Sequence, residues 1–296
     1  MDKGGIMEVL QCRAVLAAAD SGSITAAAEL MGYTQSGITR IITGFEEELG
    51  FPLFSRSKKG VELTENGRMM LPLLRSITQA HQCADEMSAD IRGSVHGTIT
   101  IGSYYSISAL VLPKILKAFS ENYPGVSVSL REGGNQEMAR WLTEKSVDFC
   151  FCAKPSADGV EWLPLFKDEL VVWLPKESLL AKKENFPVRL LEKEPFIHTS
   201  PGRDTDLDRF IKERKLNMNT CFSTKDAYTT YNMVEAGLGI SFNQRLISQK
   251  WHGEVAELPM EPRAFIELGI AIPSLQYASP AVKRFMKFMQ QTVKTD

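Results

Sequence analysis

Five side chains set the chemistry of the first fifty residues. Gln35, Ser36, Thr39, Arg40 and Thr43 fall on one side of a stretch with helical spacing, and Ile38, Ile41, Ile42, Phe45 and Leu49 fall on the other. An amide, hydroxyls and a guanidinium are the groups that exchange hydrogen bonds with base edges and phosphates. The N-terminal half of such a helix is the part that a helix-turn-helix presents to the major groove. The alternative is an ordinary helical hairpin whose polar face is merely solvated.

The elements around this face decide between the two. Ser23 is suited to cap a first helix over 24–31, and Gly32 to end it in the left-handed conformation. Thr34 caps the second helix, which runs to about Leu49, where Gly50 and Pro52 stop it. Ser23 and Thr34, at the two helix starts, join the expected DNA-contacting set. An amphipathic helix over 7–19, with Leu10, Ala14, Val15 and Ala18 inward, completes a three-helix core. Residues 51–64 then read as a β-hairpin turning at Gly60, with Arg56, Lys58 and Lys59 at its tip, a cluster suited to phosphate.

SGSITAAAELMGYTQSGITRIITGFEEELGFPLFSRSKKGVELTENG, within 7–67, resembles the winged helix-turn-helix of the LysR-type bacterial transcriptional regulators. It carries the alanine-rich helix, the Leu-Gly helix end, and the Leu-Phe-x-Arg and Leu-Thr-x-x-Gly segments of that family. It departs where Ser36 stands for the usual proline and Gly37 for the usual alanine; the glycine costs about 1 kcal/mol of helix propensity. The resemblance implies a sequence-specific regulator of transcription that binds double-stranded DNA as a dimer or tetramer.

Net charge is −2, so DNA affinity must come from a local patch and not from overall basicity. No signal peptide or spanning stretch is visible, and membrane partners are not expected. Five cysteines without framework spacing read as free thiols in a reducing cytoplasm.

Residues 65–92 read as one long helix. Met70, Leu73, Ile77, Ala80, Ala84, Met87 and Ile91 form a heptad seam, which suits pairing of two subunits; packing on its own domain is the alternative. Gly93 to Gly97 is a hinge. Beyond it, strands and helices alternate, which implies parallel sheet with helices on its faces. Gly97-Thr-Ile-Thr-Ile-Gly, Tyr123-Pro-Gly-Val and Met233-Val-Glu-Ala-Gly-Leu-Gly-Ile resemble the family's effector-binding region, which implies a periplasmic-binding-protein-like pair of lobes. The expected fold class is therefore α/β: an N-terminal winged helix-turn-helix (1–64), a linker helix (65–92) and a two-lobed effector domain (93–296). Its first lobe takes about 93–166 and 268–296, its second about 167–267.

Ligands of such sheets sit beyond the strand C-termini. That rule selects Ser103, Tyr104, Tyr105, Ser106, Lys154, Thr199, Ser200, Ser223 and Thr224. Hydroxyls, a cation and two aromatics suit a small anion, with an apolar or aromatic body beside the tyrosines; serine and threonine as plain helix caps are the alternative. No cofactor or metal is expected. The four histidines lack metal spacing, and no nucleophile elbow, phosphate loop or complete dinucleotide fingerprint is present. Cys150 and Cys152 share one face of a strand, about 6.6 Å apart at the α-carbons, which does not suit a bridge. An enzyme acting on a small carboxylate and a second half that only oligomerises are the competing functions.

Overall fold

Gly22, Gly32 and Gly50 punctuate the first fifty residues, each in the left-handed region with φ of 65°, 72° and 77°. They close α1 (Val9–Ser21), α2 (Ile24–Met31) and α3 (Gln35–Leu49). The computed structural model describes residues 7–57, 60–155 and 159–292. α1 begins two residues later than periodicity predicts, because Gln11 reaches back to the Glu8 N–H at 2.9 Å and fixes the first turn there. Ser23 accepts from the Ala26 N–H at 3.3 Å, and Thr34 from the Gly37 N–H at 3.1 Å, as their residue types predict. Cys12, Ala18, Ala28, Ile38, Ile42, Phe45 and Leu53 form the shared core.

The hairpin pairs β1 (Phe54–Ser57) with β2 (Gly60–Leu63). Two contacts hold its root. Glu46 accepts the N–H groups of Leu53 and Phe54 at 2.6 and 3.0 Å, and Val61 donates to the Gly22 carbonyl at 3.1 Å. A Cβ at Gly60 would stand 2.4 Å from that same carbonyl oxygen, so no side chain fits there.

α4 (Glu65–Ile91) belongs to both halves of the molecule. Leu74 enters the N-terminal core, and Arg75 pairs with Asp20 of α1 at 2.6 Å. Farther along, Gln79 reaches Asp148, Gln82 reaches Thr98, and Glu86, only 3% exposed, accepts the Ala281 N–H at 3.1 Å. Arg284 pairs with Asp90. The glycine-flanked segment after α4 is therefore bridged by side-chain bonds on the helix before it, which local sequence does not announce. Of the expected seam, Met70 packs toward the N-terminal core, while Leu73, Ile77, Ala80, Ala84, Met87 and Ile91 are exposed.

The C-terminal half runs β3 (Gly97–Ser103), α5 (Tyr105–Leu110), α6 (Leu112–Asn122), β4 (Val126–Glu132), α7 (Asn135–Thr143) and β5 (Phe149–Ala153). It continues through β6 (Glu161–Pro175), β7 (Phe186–Pro187), β8 (Phe196–Thr199), α8 (Asp206–Arg214), β9 (Thr220–Thr224) and α9 (Ala227–Glu235). It closes with β10 (Ser241–Gln244), α10 (Arg245–Ser248), β11 (Val255–Glu261), β12 (Phe265–Ile272) and α11 (Pro280–Thr292). The two-lobed α/β architecture is the one the sequence implies, but the all-parallel sheet is not. β3 pairs in parallel with β4 and β5, whereas β12 is antiparallel to β5 and β6, and β10 and β11 are antiparallel to β6. The cause is the length of β6: its first part pairs with β12 as far as Glu169, and its second with β10 and β11 from Leu170 onward.

Two cores flank that crossing. Phe119, Phe149, Phe151 and Phe285 centre one, and Phe186, Phe196, Phe210 and Phe242 the other. A separate α5 precedes α6, because Pro113 cannot continue a hydrogen-bonded helix from the turn before it. Phe222 to Thr224 belong to a strand parallel to β8.

Candidate functional site

The outward side of α3 stays open. Thr34, Gln35, Ser36, Arg40 and Thr43 are exposed and Thr39 is half-buried. Local bonds use some of this polarity: Thr39 donates to the Gln35 carbonyl at 2.9 Å, and the Thr34 and Ser36 hydroxyls lie 3.2 Å apart. The side chains of Gln35, Arg40 and Thr43 have no partner among the described residues, even though Glu46, Glu47 and Glu48 follow on the same helix. The helix therefore presents an amide fork, a guanidinium and a hydroxyl to whatever approaches it. Ser23 is half-buried at its cap. Arg56 lies in β1 near the hairpin end, and Lys58 and Lys59 lie outside the described residues.

A second site lies between the two cores, a cavity of about 840 Å³, within the usual size for small-molecule sites. Tyr104, Tyr105, Ser106, Thr199 and Ser200 all line it, so five of the nine residues selected at strand ends meet there. The other four, Ser103, Lys154, Ser223 and Thr224, do not line it. Ser103 is fully buried and its hydroxyl donates to the Tyr104 carbonyl at 3.1 Å. Lys154 and Ser223 are exposed, and the Thr224 hydroxyl accepts the Asp226 N–H at 3.1 Å.

Residues that the strand-end rule does not reach complete the cavity. Asn135 opens α7 on one side of the cleft and Asp206 opens α8 on the other. Tyr104 donates through its hydroxyl to the Asn135 side-chain oxygen, and the Asn135 amide donates to Asp206 Oδ1 at 3.1 Å and to the Asp204 carbonyl at 2.7 Å. Gln244 donates to Asp206 Oδ2 at 3.2 Å. Burial pushes the Asp206 carboxyl up from its ordinary value, against the pull of the Asn135 hydrogen bond and the Arg209 charge, and it pushes the Tyr104 phenol up as well. Thr199 shares a 2.8 Å hydroxyl contact with buried Thr230. One wall is apolar and aromatic, built by Tyr105, Tyr228, Ile247 and Trp251, with Tyr228 and Trp251 in edge contact at 5.1 Å. Lys225, Lys250 and His252 complete the lining. A signal for Asp206 existed in the sequence: Thr205 three residues before a second acid, Asp208, reads as a helix start.

Cys150 and Cys152 lie in β5, both buried and facing the Met138, Leu142 and Val147 cluster. Burial pushes the Cys152 thiol up to about 12 and Cys150 in the same direction, which leaves both as thiols at neutral pH. Among the described residues no group of acids, histidines and cysteines could hold a metal ion. No helix among them is long and apolar enough to cross a membrane.

Comparison with known proteins agrees with both halves. Residues 10–68 match the family of bacterial regulatory helix-turn-helix proteins of LysR type, and residues 92–294 match the LysR substrate binding domain. Relatives include the HTH-type transcriptional regulator YvbU of Bacillus subtilis, 25% identical over 288 residues that cover 96% of this chain and 98% of that protein. The HTH-type transcriptional activator CmpR of Synechocystis is 29% identical over 233 residues, covering 76% of this chain and 75% of its own. Among solved structures, full-length OxyR of Pseudomonas aeruginosa superposes with a TM-score of 0.80 at 20% identity, covering 98% of this chain and 95% of that one. CbnR in complex with its target DNA gives 0.55 at 21% identity, covering 97% and 100%. With an open recognition helix at one end, a two-lobed cleft at the other, and family matches over both, the chain belongs to the LysR family: it is a DNA-binding transcriptional regulator with an effector-binding domain, and not an enzyme.

Proposed function

We propose that α3 docks in the major groove, with Gln35 and Arg40 reading base edges and Ser36, Thr39 and Thr43 contacting bases or nearby phosphates. Ser23 and Thr34 set the two helix starts against the backbone, and Arg56, Lys58 and Lys59 grip phosphate from the hairpin. The observation that carries this reading is the free Gln35 amide and Arg40 guanidinium on an uncovered helix face. Sequencing DNA fragments selected by the purified chain tests it: two related half-sites should emerge, and selection without preference overturns it. Replacing Lys58 and Lys59 by alanine should weaken binding to all sequences and lower the salt slope by up to about two.

The working units are 1–64, 65–92 and 93–296, the last divided into lobes of about 93–166 with 268–296 and about 167–267. Exposure of Leu73 (58%) and Ile91 (81%) on the α4 seam supports pairing of two chains through this helix, with a tetramer as the higher assembly. Ile77→Glu should then give monomers in sedimentation.

The cleft binds a small, anionic metabolite. Lys225 and Lys250, neither in an ion pair among the described residues, support the anionic character, and Tyr105, Tyr228 and Trp251 offer a surface for its body. Binding changes lobe closure, and with it the spacing of the paired DNA-binding units. Repeating the DNA selection with a metabolite mixture tests this: an unchanged operator preference and unchanged affinity would leave the second half as an oligomerisation unit only.

A further inference from the structure

The cations of the cleft and its buried acid lie at different depths, and the exposed acid of the lining, Asp226, is engaged as the α9 cap by the Thr229 N–H and hydroxyl. Lys225 and Lys250 line it as exposed residues. Asp206 lines it as a buried one, 8% exposed, and it has no cation of its own. The nearby Arg209 is spent on Asp204, to which it donates two bonds at 3.0 and 2.6 Å. The side-chain partners of Asp206 are neutral donors: the amides of Asn135 and Gln244, one on each oxygen, with the Tyr104 hydroxyl close by. A carboxylate offers about four lone-pair directions, so acceptor capacity remains on the side that faces the cavity. A buried carboxylate without a cation is costly. If its only task were to bridge the lobes, an amide there would bond as well at lower cost. Its position at the cavity floor gives it another task, because it repels an anionic group and attracts a donor.

We infer that the cleft selects a small molecule with two unlike groups: an anion held at the mouth by Lys225 and Lys250, and a hydrogen-bond donor, ammonium or hydroxyl, that reaches Asp206 at the floor. This rests on the cleft being the effector site. The chemical class is the amino acids and hydroxy acids, with the side chain laid on Ile247, Tyr228 and Trp251. A plain carboxylate satisfies only the mouth and leaves Asp206 without its donor. The preference is thus set by one residue, Asp206, which acts as a specificity determinant.

Matched triplets test this on the full chain: an amino acid, its 2-hydroxy acid and the unsubstituted carboxylate, for aliphatic and aromatic side chains (L-leucine, L-phenylalanine and their analogues among them). Thermal shift screens the set and titration calorimetry measures the binders. At least one amino or hydroxy acid should bind, with its unsubstituted carboxylate at least about tenfold weaker, the loss expected when a charge-assisted hydrogen bond is removed. In Asp206→Asn that ratio should fall to about one. Equal binding of the carboxylate, persistence of the preference in Asp206→Asn, or no binding by any member overturns the inference. Should Asp206→Asn fail to fold, the wild-type ratio alone decides. A Lys225→Ala, Lys250→Ala double variant separates the two levels. If it weakens all ligands while Asp206→Asn changes nothing, only the donor assignment fails. If neither variant alters binding, the ligand sits elsewhere and the effector reading of the cleft fails with it.

Discussion

The two functional surfaces of this regulator are built by opposite means. The outward side of α3, proposed above to face DNA, gathers residues within nine positions of one another, all displayed by a single helix and largely free of partners. The cleft gathers Tyr104, Asn135, Asp206 and Gln244 from across more than a hundred residues and ties them together by hydrogen bonds. A surface meant for a large, water-exposed partner can stay unpaired, since water satisfies its polar groups until DNA replaces it. A surface meant for a small molecule must be shaped in advance, and the polar groups at its floor are buried and tied to one another.

Breaking the support of one region should leave the other intact. Phe45→Ala, which empties a fully buried site in the three-helix core, should cost that unit about 3–5 kcal/mol. DNA binding should be lost in a mobility-shift assay while ligand-induced thermal stabilisation persists; joint loss would mean that the two regions fold as one. Gln35→Ala should leave stability unchanged and cost about 1–3 kcal/mol of discrimination at one base pair, read by competition between operator variants. Thr34→Ala, which removes the α3 cap, should cost about 1 kcal/mol and lower affinity evenly across sequences.

A pH-dependent effect tests where α4 meets the effector half. Burial pushes the Asp148 carboxyl up to about 6, opposed by the Thr100 N–H and aided by the nearby Glu86 charge. With a folded value above the unfolded one, the native state binds more protons. Its contribution is therefore fully present below about pH 4 and declines as pH rises toward about 6. Urea unfolding of wild type and Asp148→Asn across that window should show the wild type losing stability relative to the variant as pH rises. Parallel curves would mean that Asp148 is ionised in both states.

The same contrast explains what could be read without coordinates. Caps, glycine stops and the polar face of α3 depend on residues three or four apart, so Ser23, Gly32, Thr34 and Gly50 announced them. The hairpin was legible for the same reason. The mixed sheet was not, because only register shows that β6 is long enough to serve both lobes. Nor was half of the cleft: the strand-end rule found Tyr104 and Thr199 but not Asn135 or Gln244, whose roles depend on packing of distant elements. The contacts of Asp148 and Glu86 have no local signal either, because they form only where α4 meets the effector half.

α4 itself has a mechanical consequence. Held to Asp20 through Arg75 and to Ala281 and Arg284 through Glu86 and Asp90, it is a rod whose two outermost grips stand about 22 Å apart. A tilt of about 10° at the effector grip would carry the Asp20 grip about 4 Å, close to the rise between base pairs. If the cleft closes on its ligand as proposed, α4 is the element that would carry that change to the DNA-binding unit.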